Sequence, residues 1–103
     1  MSNLVKKKIE FDYYVMFFDM RSIAMYQAED KSFIKGYGDL VKLKDDAILD
    51  FIACTLRPKD KPNEPIGFEE IKKDPINFLI NYWYAVFQIV NAGFQEDNVK
   101  KKT

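Results

Sequence analysis

The feature that most constrains this chain is a stretch without charge. From Pro75 to Gln95, 21 consecutive residues include no Asp, Glu, Lys or Arg. Asp74-Pro75 opens the stretch as a helix start, with an acceptor at the N-cap and a proline at the first helical position, where no backbone N–H is needed. The spacing predicts a helix over 75–92, closed by Gly93 as its C-cap. At about 100° per residue, Ile76, Leu79, Ile80, Trp83, Val86, Phe87 and Val90 form one broad apolar face. Phe78, Tyr82, Ala85 and Ile89 form a second. The remaining stripe, Asn77, Asn81, Tyr84, Gln88 and Asn91, is polar but uncharged. A surface helix normally turns a charged face to water. This helix is therefore central to its domain or shared between molecules. Its length would span a bilayer, but Asn77, Asn81, Gln88, Asn91 and Gln95 oppose insertion, so no membrane span is expected.

The rest of the chain reads as shorter elements. Residues 1–8 form a flexible polar lead, 9–95 one mainly helical domain, and 96–103 a disordered polar tail ending in lysines. In 9–18, Ile9, Phe11 and Tyr13 alternate with Glu10 and Asp12, which is strand periodicity. A helix stays open there because Tyr13 to Phe18 is apolar throughout. No second strand is evident in the chain, so this segment is expected to pack irregularly or to pair with another molecule. Asp19 is placed to cap a helix over 20–29, with Met20, Ile23, Ala24 and Ala28 on one side. Phe33, Ile34, Tyr37, Leu40 and Val41 predict a second helix, weakened by Gly36 and Gly38. Ala47, Ile48, Phe51, Ile52, Thr55 and Leu56 predict a third over 45–57. Residues 57–66, with three prolines, read as a loop and as the one place where the chain could hinge. A short helix is expected over Phe68 to Lys73. The fold class is thus mainly α: a small domain of four to five helices with an N-terminal β-like segment.

Composition excludes several chemistries. There is no histidine, which removes Ser-His-Asp and Cys-His catalysis and the commonest general base. The single Cys54 forms no internal disulfide and no multi-cysteine zinc site, and a lone thiol suits a reducing compartment. It sits one position off the apolar stripe of its helix and reads as a small buried hydrophobe. The pairs Asp45/Asp46, Glu69/Glu70 and Glu96/Asp97 are neighbours that do not face each other on a helix, and read as solvated or capping groups. Gly36-Tyr37-Gly38 lacks the frame of a phosphate loop. Sixteen basic residues balance sixteen acidic ones, so no basic face for nucleic acid is expected. No catalytic, metal or cofactor residues emerge. High aromatic content directs attention instead to protein contacts, with Phe78, Tyr82, Trp83, Ile89 and Phe94 as the candidate interaction surface and a homo-oligomer as the expected state.

Three segments carry a family resemblance: FFDMRSIAMYQAEDKSFIKGYGDL, then KDDAILDFIACTLRPKD, then GFEEIKKDPINFLINYWYAVFQIVNAGF. Across roughly 9–95 their layout resembles the small tail assembly chaperones of long-tailed bacteriophages. In that family an apolar helix ending in Leu-Arg precedes a charged loop and an acidic helix start. The resemblance implies a non-enzymatic protein of the host bacterial cytoplasm that binds the tape-measure protein and tail-tube subunits during tail morphogenesis. It carries over no catalytic residue. The alternative is a small phage or mobile-element regulatory protein that binds and inhibits a host protein.

Overall fold

The computed structural model describes residues 8–102, with side chains described through residue 93. The expected lead over 1–8 lies, apart from Lys8, outside the described residues, as do the side chains of the tail. Among the described residues there are five helices and one three-stranded sheet, the expected mainly α class. In chain order they are β1 (Ile9–Glu10), β2 (Tyr14–Met16), α1 (Met20–Gln27), α2 (Phe33–Val41), α3 (Asp45–Thr55), β3 (Leu56–Pro58), α4 (Phe68–Lys73) and α5 (Pro75–Lys102).

The N-terminal segment does find its partner inside the chain. β1 and β2 form a hairpin with Ile9 opposite Met16 and Glu10 opposite Val15. β2 then pairs antiparallel with β3, with Tyr14 opposite Pro58, Val15 opposite Arg57 and Met16 opposite Leu56. The third helix consequently ends two residues earlier than its apolar spacing predicts. Pro58 pushes the residue before it into extended backbone, and Leu56 already leaves the helix at φ −79°, ψ 131°. A proline at the end of an edge strand removes no ladder bond that the sheet needs.

Helix starts follow local chemistry. Asp19 caps α1 in a capping box: its side chain accepts from the Ser22 backbone N–H, and the Ser22 hydroxyl accepts from the Asp19 N–H. The inward residues of α1 are Ser22 and Tyr26, with Ile23 and Met25 half-buried. The expected stripe of Met20, Ala24 and Ala28 instead faces water. Ser32 caps α2. Gly36 is required there by close approach, because a Cβ would lie 2.0 Å from the Tyr26 hydroxyl oxygen. Gly67, at φ 89° and ψ 169°, takes a backbone conformation essentially restricted to glycine and aims the chain into α4. The Asp74 carbonyl accepts the first bond of α5 from the Phe78 N–H, 3.2 Å away. Gly93 does not end that helix, which runs on to Lys102.

α3 is the centre of the packing. From Phe51 to Thr55 every residue is buried. Met16, Phe18, Tyr26, Leu40, Phe51, Leu56, Ile71, Val86 and Ile89 join it in one apolar cluster. The rings of Tyr26 and Phe51 stack at 4.7 Å.

The proline-rich segment is fixed rather than hinged. Arg57 is 1 % exposed. Its Nη2 donates to Asp19 Oδ1 at 2.8 Å and Ser22 Oγ at 3.0 Å. Nη1 donates to the Pro62 carbonyl at 3.1 Å, and Nε to that of Thr55 at 3.3 Å. The guanidinium also lies 3.8 Å from the centre of the Phe17 ring. Beyond Arg57, the Ile66 N–H donates to the Leu56 carbonyl and the Gly67 N–H to that of Ala53, at 2.9 and 3.0 Å. Arg21 and Glu64 pair at 2.5 Å on the outside.

Candidate functional site

α5 lies against α3 along its N-terminal half, and the direction it faces decides which residues can meet a partner. Phe78, Val86, Ile89 and Val90 are buried, with Leu79, Tyr82, Ala85 and Phe87 half-buried beside them. Turned the other way are Ile76 at 68 % exposure, Ile80 at 67 %, Tyr84 at 57 % and Trp83 at 39 %. Their spacing of four, three and one residues places them on one side of the helix. The Trp83 and Tyr84 rings meet edge-on with centroids 5.4 Å apart. Beside this stripe, exposed Asn77 and Asn81 join by a 2.8 Å side-chain hydrogen bond. Farther along, the Tyr37 hydroxyl of α2 donates to the Asn91 side chain.

The structure divides the sequence-derived surface. Phe78, Tyr82 and Ile89 do share a face, but it is the face that builds the core. Phe78 and Ile89 therefore belong to the interior. Tyr82 packs under the β1–β2 hairpin, with its ring 4.8 Å from Phe11 and 6.2 Å from Tyr14. Burial raises the pKa of its hydroxyl above the ordinary tyrosine value. Trp83 is on the outer face, and the Phe94 side chain lies outside the described residues. Ile76, Ile80 and Tyr84 are the surface residues that sequence reasoning left out. The signal that marks them is the adjoining amide stripe, Asn77 and Asn81, which shows where water begins.

Other chemistry-bearing groups are occupied by structural work. Cys54 is fully buried, and its thiol is pushed up to about 12, first by burial and then by the nearby charges of Asp50 and Glu29. Such a thiol stays protonated at neutral pH and is a poor nucleophile. Asp45 and Asp46 sit exposed in the first turn of α3. Glu69 pairs with Lys72 at 3.4 Å and Glu70 with Lys73 at 3.2 Å. The Glu96 and Asp97 side chains lie outside the described residues. A shallow cleft between α2 and α3 is lined by Lys31, Lys35, Asp39, Asp46 and Asp50. Four of these five charges are paired: Lys31 bonds Asp50 at 2.8 Å, and Lys35 approaches Asp39 at 3.6 Å, with Lys44 beside the cleft at 3.7 Å from the same carboxylate. Among the described residues no group of three His, Cys, Asp or Glu side chains could hold a metal ion. Nor, among the described residues, is any helix long and apolar enough to cross a membrane. Comparison with known proteins finds no matching protein-family model, no matching curated protein and no matching solved structure.

Proposed function

We propose that this protein is a non-enzymatic binding module that shields apolar helices of another protein, in the manner of a phage tail assembly chaperone acting in the host bacterial cytoplasm. The observation that carries the reading is the outer stripe of α5. Four large apolar side chains stand in water on a helix whose core face is already filled. Exposed apolar clusters of this kind mark protein contact sites, and Trp and Tyr are the residues enriched there. A client helix that lays its own apolar face along Ile76, Ile80, Trp83 and Tyr84 would hide both surfaces from water. The tape-measure protein, with the tail-tube subunit recruited to it, is the client that the sequence resemblance names.

The reading is tested by co-expressing this protein with the tape-measure and tail-tube proteins of the same genome. Wild type is expected to keep the tape-measure protein soluble and to co-purify with it. Trp83→Glu, folded by circular dichroism, is expected to lose the complex. Failure of the wild-type protein to bind either client overturns the proposal.

A further inference from the structure

Tyr26 carries a polar group that the fold does not use. The residue is 4 % exposed, and its ring stacks on Phe51 in the core. Its hydroxyl has no hydrogen-bond partner among the described residues. Nor is the oxygen sealed in, since among the described residues no fully enclosed side-chain oxygen or nitrogen lacks a partner. It opens onto the cleft between α2 and α3, whose wall includes Tyr26 and Gly36. Gly36 makes this possible, because a Cβ there would take the place of the hydroxyl. Burial, then the charge of Asp50, raises the pKa of this group, so it stays protonated and offers a donor and its lone pairs. Most polar groups this deep are bonded within their own chain. This one is free for a ligand.

The surrounding charges select the sign of that ligand. Four carboxylates, Asp30, Asp39, Asp46 and Asp50, line the cleft against the ammonium groups of Lys31 and Lys35. Both lysines are already engaged, by Asp50 at 2.8 Å and by Asp39 at 3.6 Å. Asp30 and Asp46 have no ion-pair partner among the described residues. The cleft therefore presents unengaged acceptor oxygens and no unengaged cation. Lys31, Asp46 and Asp50 also border a second groove, whose remaining wall includes Leu49, Phe68, Ile71 and Pro75. The two spaces measure about 320 and 330 Å³, each at the small end of the range for ligand sites.

We propose that this double cleft docks a segment of a partner polypeptide, seating an arginine side chain beside Tyr26 and Asp46 and the apolar residue next to it against Leu49 and Phe68. A guanidinium has five donors in a planar fork, enough to serve a carboxylate and the Tyr26 oxygen together. It is also weakly hydrated, which suits a carboxylate bordered by apolar walls. The entering cation competes with Lys31 for Asp50, so Lys31 holds the site closed until it is displaced. The site uses none of Ile76, Ile80, Trp83 and Tyr84, and it does not rest on the tail-assembly reading.

The test titrates the isotope-labelled full chain with acetyl-Arg-Leu-amide and follows the Gly36 amide and the Tyr26 ring by NMR. A saturable shift is expected, half-complete near about 1 mM for so small a probe. Acetyl-Arg-Gly-amide should bind at least about 3-fold more weakly through lost apolar burial. Acetyl-Leu-Leu-amide and inorganic phosphate should leave Gly36 unmoved. Tyr26→Phe removes only a hydroxyl that bonds nothing in the chain, and is expected to fold and to bind about tenfold more weakly. Asp46→Asn should weaken binding about 3-fold, and Lys31→Gln should tighten it about 3-fold by freeing Asp50. Asp12→Asn, on the hairpin, should change nothing. No saturable shift at Gly36 up to about 20 mM overturns the proposal. So does equal binding of acetyl-Leu-Leu-amide, stronger binding of phosphate, or unchanged affinity in Tyr26→Phe. Weaker binding after Lys31→Gln overturns it too, because Lys31 would then be a group that holds the ligand. Should Tyr26→Phe fail to fold, the Asp46→Asn and Lys31→Gln affinities decide the matter.

Discussion

The segment from Arg57 to Ile66 and the outer face of α5 are opposites in composition, and each behaves against its composition. The first is rich in proline and charge, yet it is tied to α1, α3 and β2. The second is apolar enough for a core, yet it stands in water. Residue type reports what a side chain prefers as its surroundings. It does not report what the neighbours leave available. One buried guanidinium with five N–H donors gathers a loop that would otherwise have only solvated side chains. One domain of this size has enough interior to cover one face of α5 and not two.

The largest effect should come from the centre of the first region. Arg57→Ala leaves Asp19 without its buried partner and removes the donor that holds the Pro62 carbonyl. Removing one member of such a pair typically costs about 3–5 kcal/mol. Asp19 is 24 % exposed, so the lower end of that range is expected. Urea unfolding monitored by circular dichroism measures the loss. A cost below about 1 kcal/mol would mean that the segment is held by something other than Arg57. The proteolytic counterpart is that trypsin, which does not cut the Arg57-Pro58 and Lys61-Pro62 bonds, should cleave this segment at exposed Lys59.

The two faces of α5 come next. Ile89 is 2 % exposed, and Ile89→Ala should cost about 2–5 kcal/mol, as cavity-forming core substitutions do. This variant sharpens the comparison because Ile89 was a candidate surface residue by periodicity. A small cost would return it to the surface and break the orientation of α5 described above.

How far the sequence carries is clearest at these elements. The helices over 33–41 and 68–73 and the start of α5 at Pro75 are legible because caps, spacing and proline are local signals. β3 was not legible. It is three residues long, one of them is proline, and its reason for being extended is β2, some forty residues earlier in the chain. Arg57 was invisible for the same cause: its partners Asp19 and Ser22 are distant in sequence, and a lone arginine after an apolar helix reads as a solvated end. On α5, periodicity located the apolar positions but did not separate core from surface: Val86 and Val90, grouped by spacing with the exposed Ile76 and Ile80, are buried with Phe78 and Ile89. The amides Asn77 and Asn81 mark one edge of the exposed side, next to Ile80 and Tyr84.

Cys54 offers a smaller and more local measurement. It lies between Ala53, which anchors Gly67, and the strand that holds Ile66. A segment that swung as a hinge would expose the thiol, whereas a fixed one protects it until the protein unfolds. Labelling by a thiol reagent should therefore track global unfolding, and labelling much faster than unfolding would restore the hinge. The thiol also couples to pH. Its pKa is raised from 9.0 to about 12 in the folded protein, so the folded state holds the proton more tightly. The stabilisation is complete below pH 9 and is lost as pH rises toward 12. Cys54→Ala, costing about 1 kcal/mol at neutral pH, should reduce the alkaline decline in stability by up to about 1.4 kcal/mol per pH unit. An unchanged alkaline slope would show that Cys54 is not enclosed as described.

The smallest effect on stability is expected on the outer stripe, and its smallness is the point. Ile80→Ser removes a side chain that the folded chain leaves 67 % exposed. In dilute solution the change should fall within about 0.5 kcal/mol, the ordinary range for surface positions. Its consequence appears only in binding. A wild type that seats a client helix on this stripe gains stability by mass action as client is added, so its melting temperature should rise with client concentration. The Ile80→Ser protein has lost the contact that couples melting to client, and its melting temperature should stay fixed. A loss of about 2 kcal/mol or more in dilute solution would place Ile80 in the core and erase the contrast between the two faces. Equal dependence on client in both proteins would leave the fold as described and remove Ile80 from the client contact.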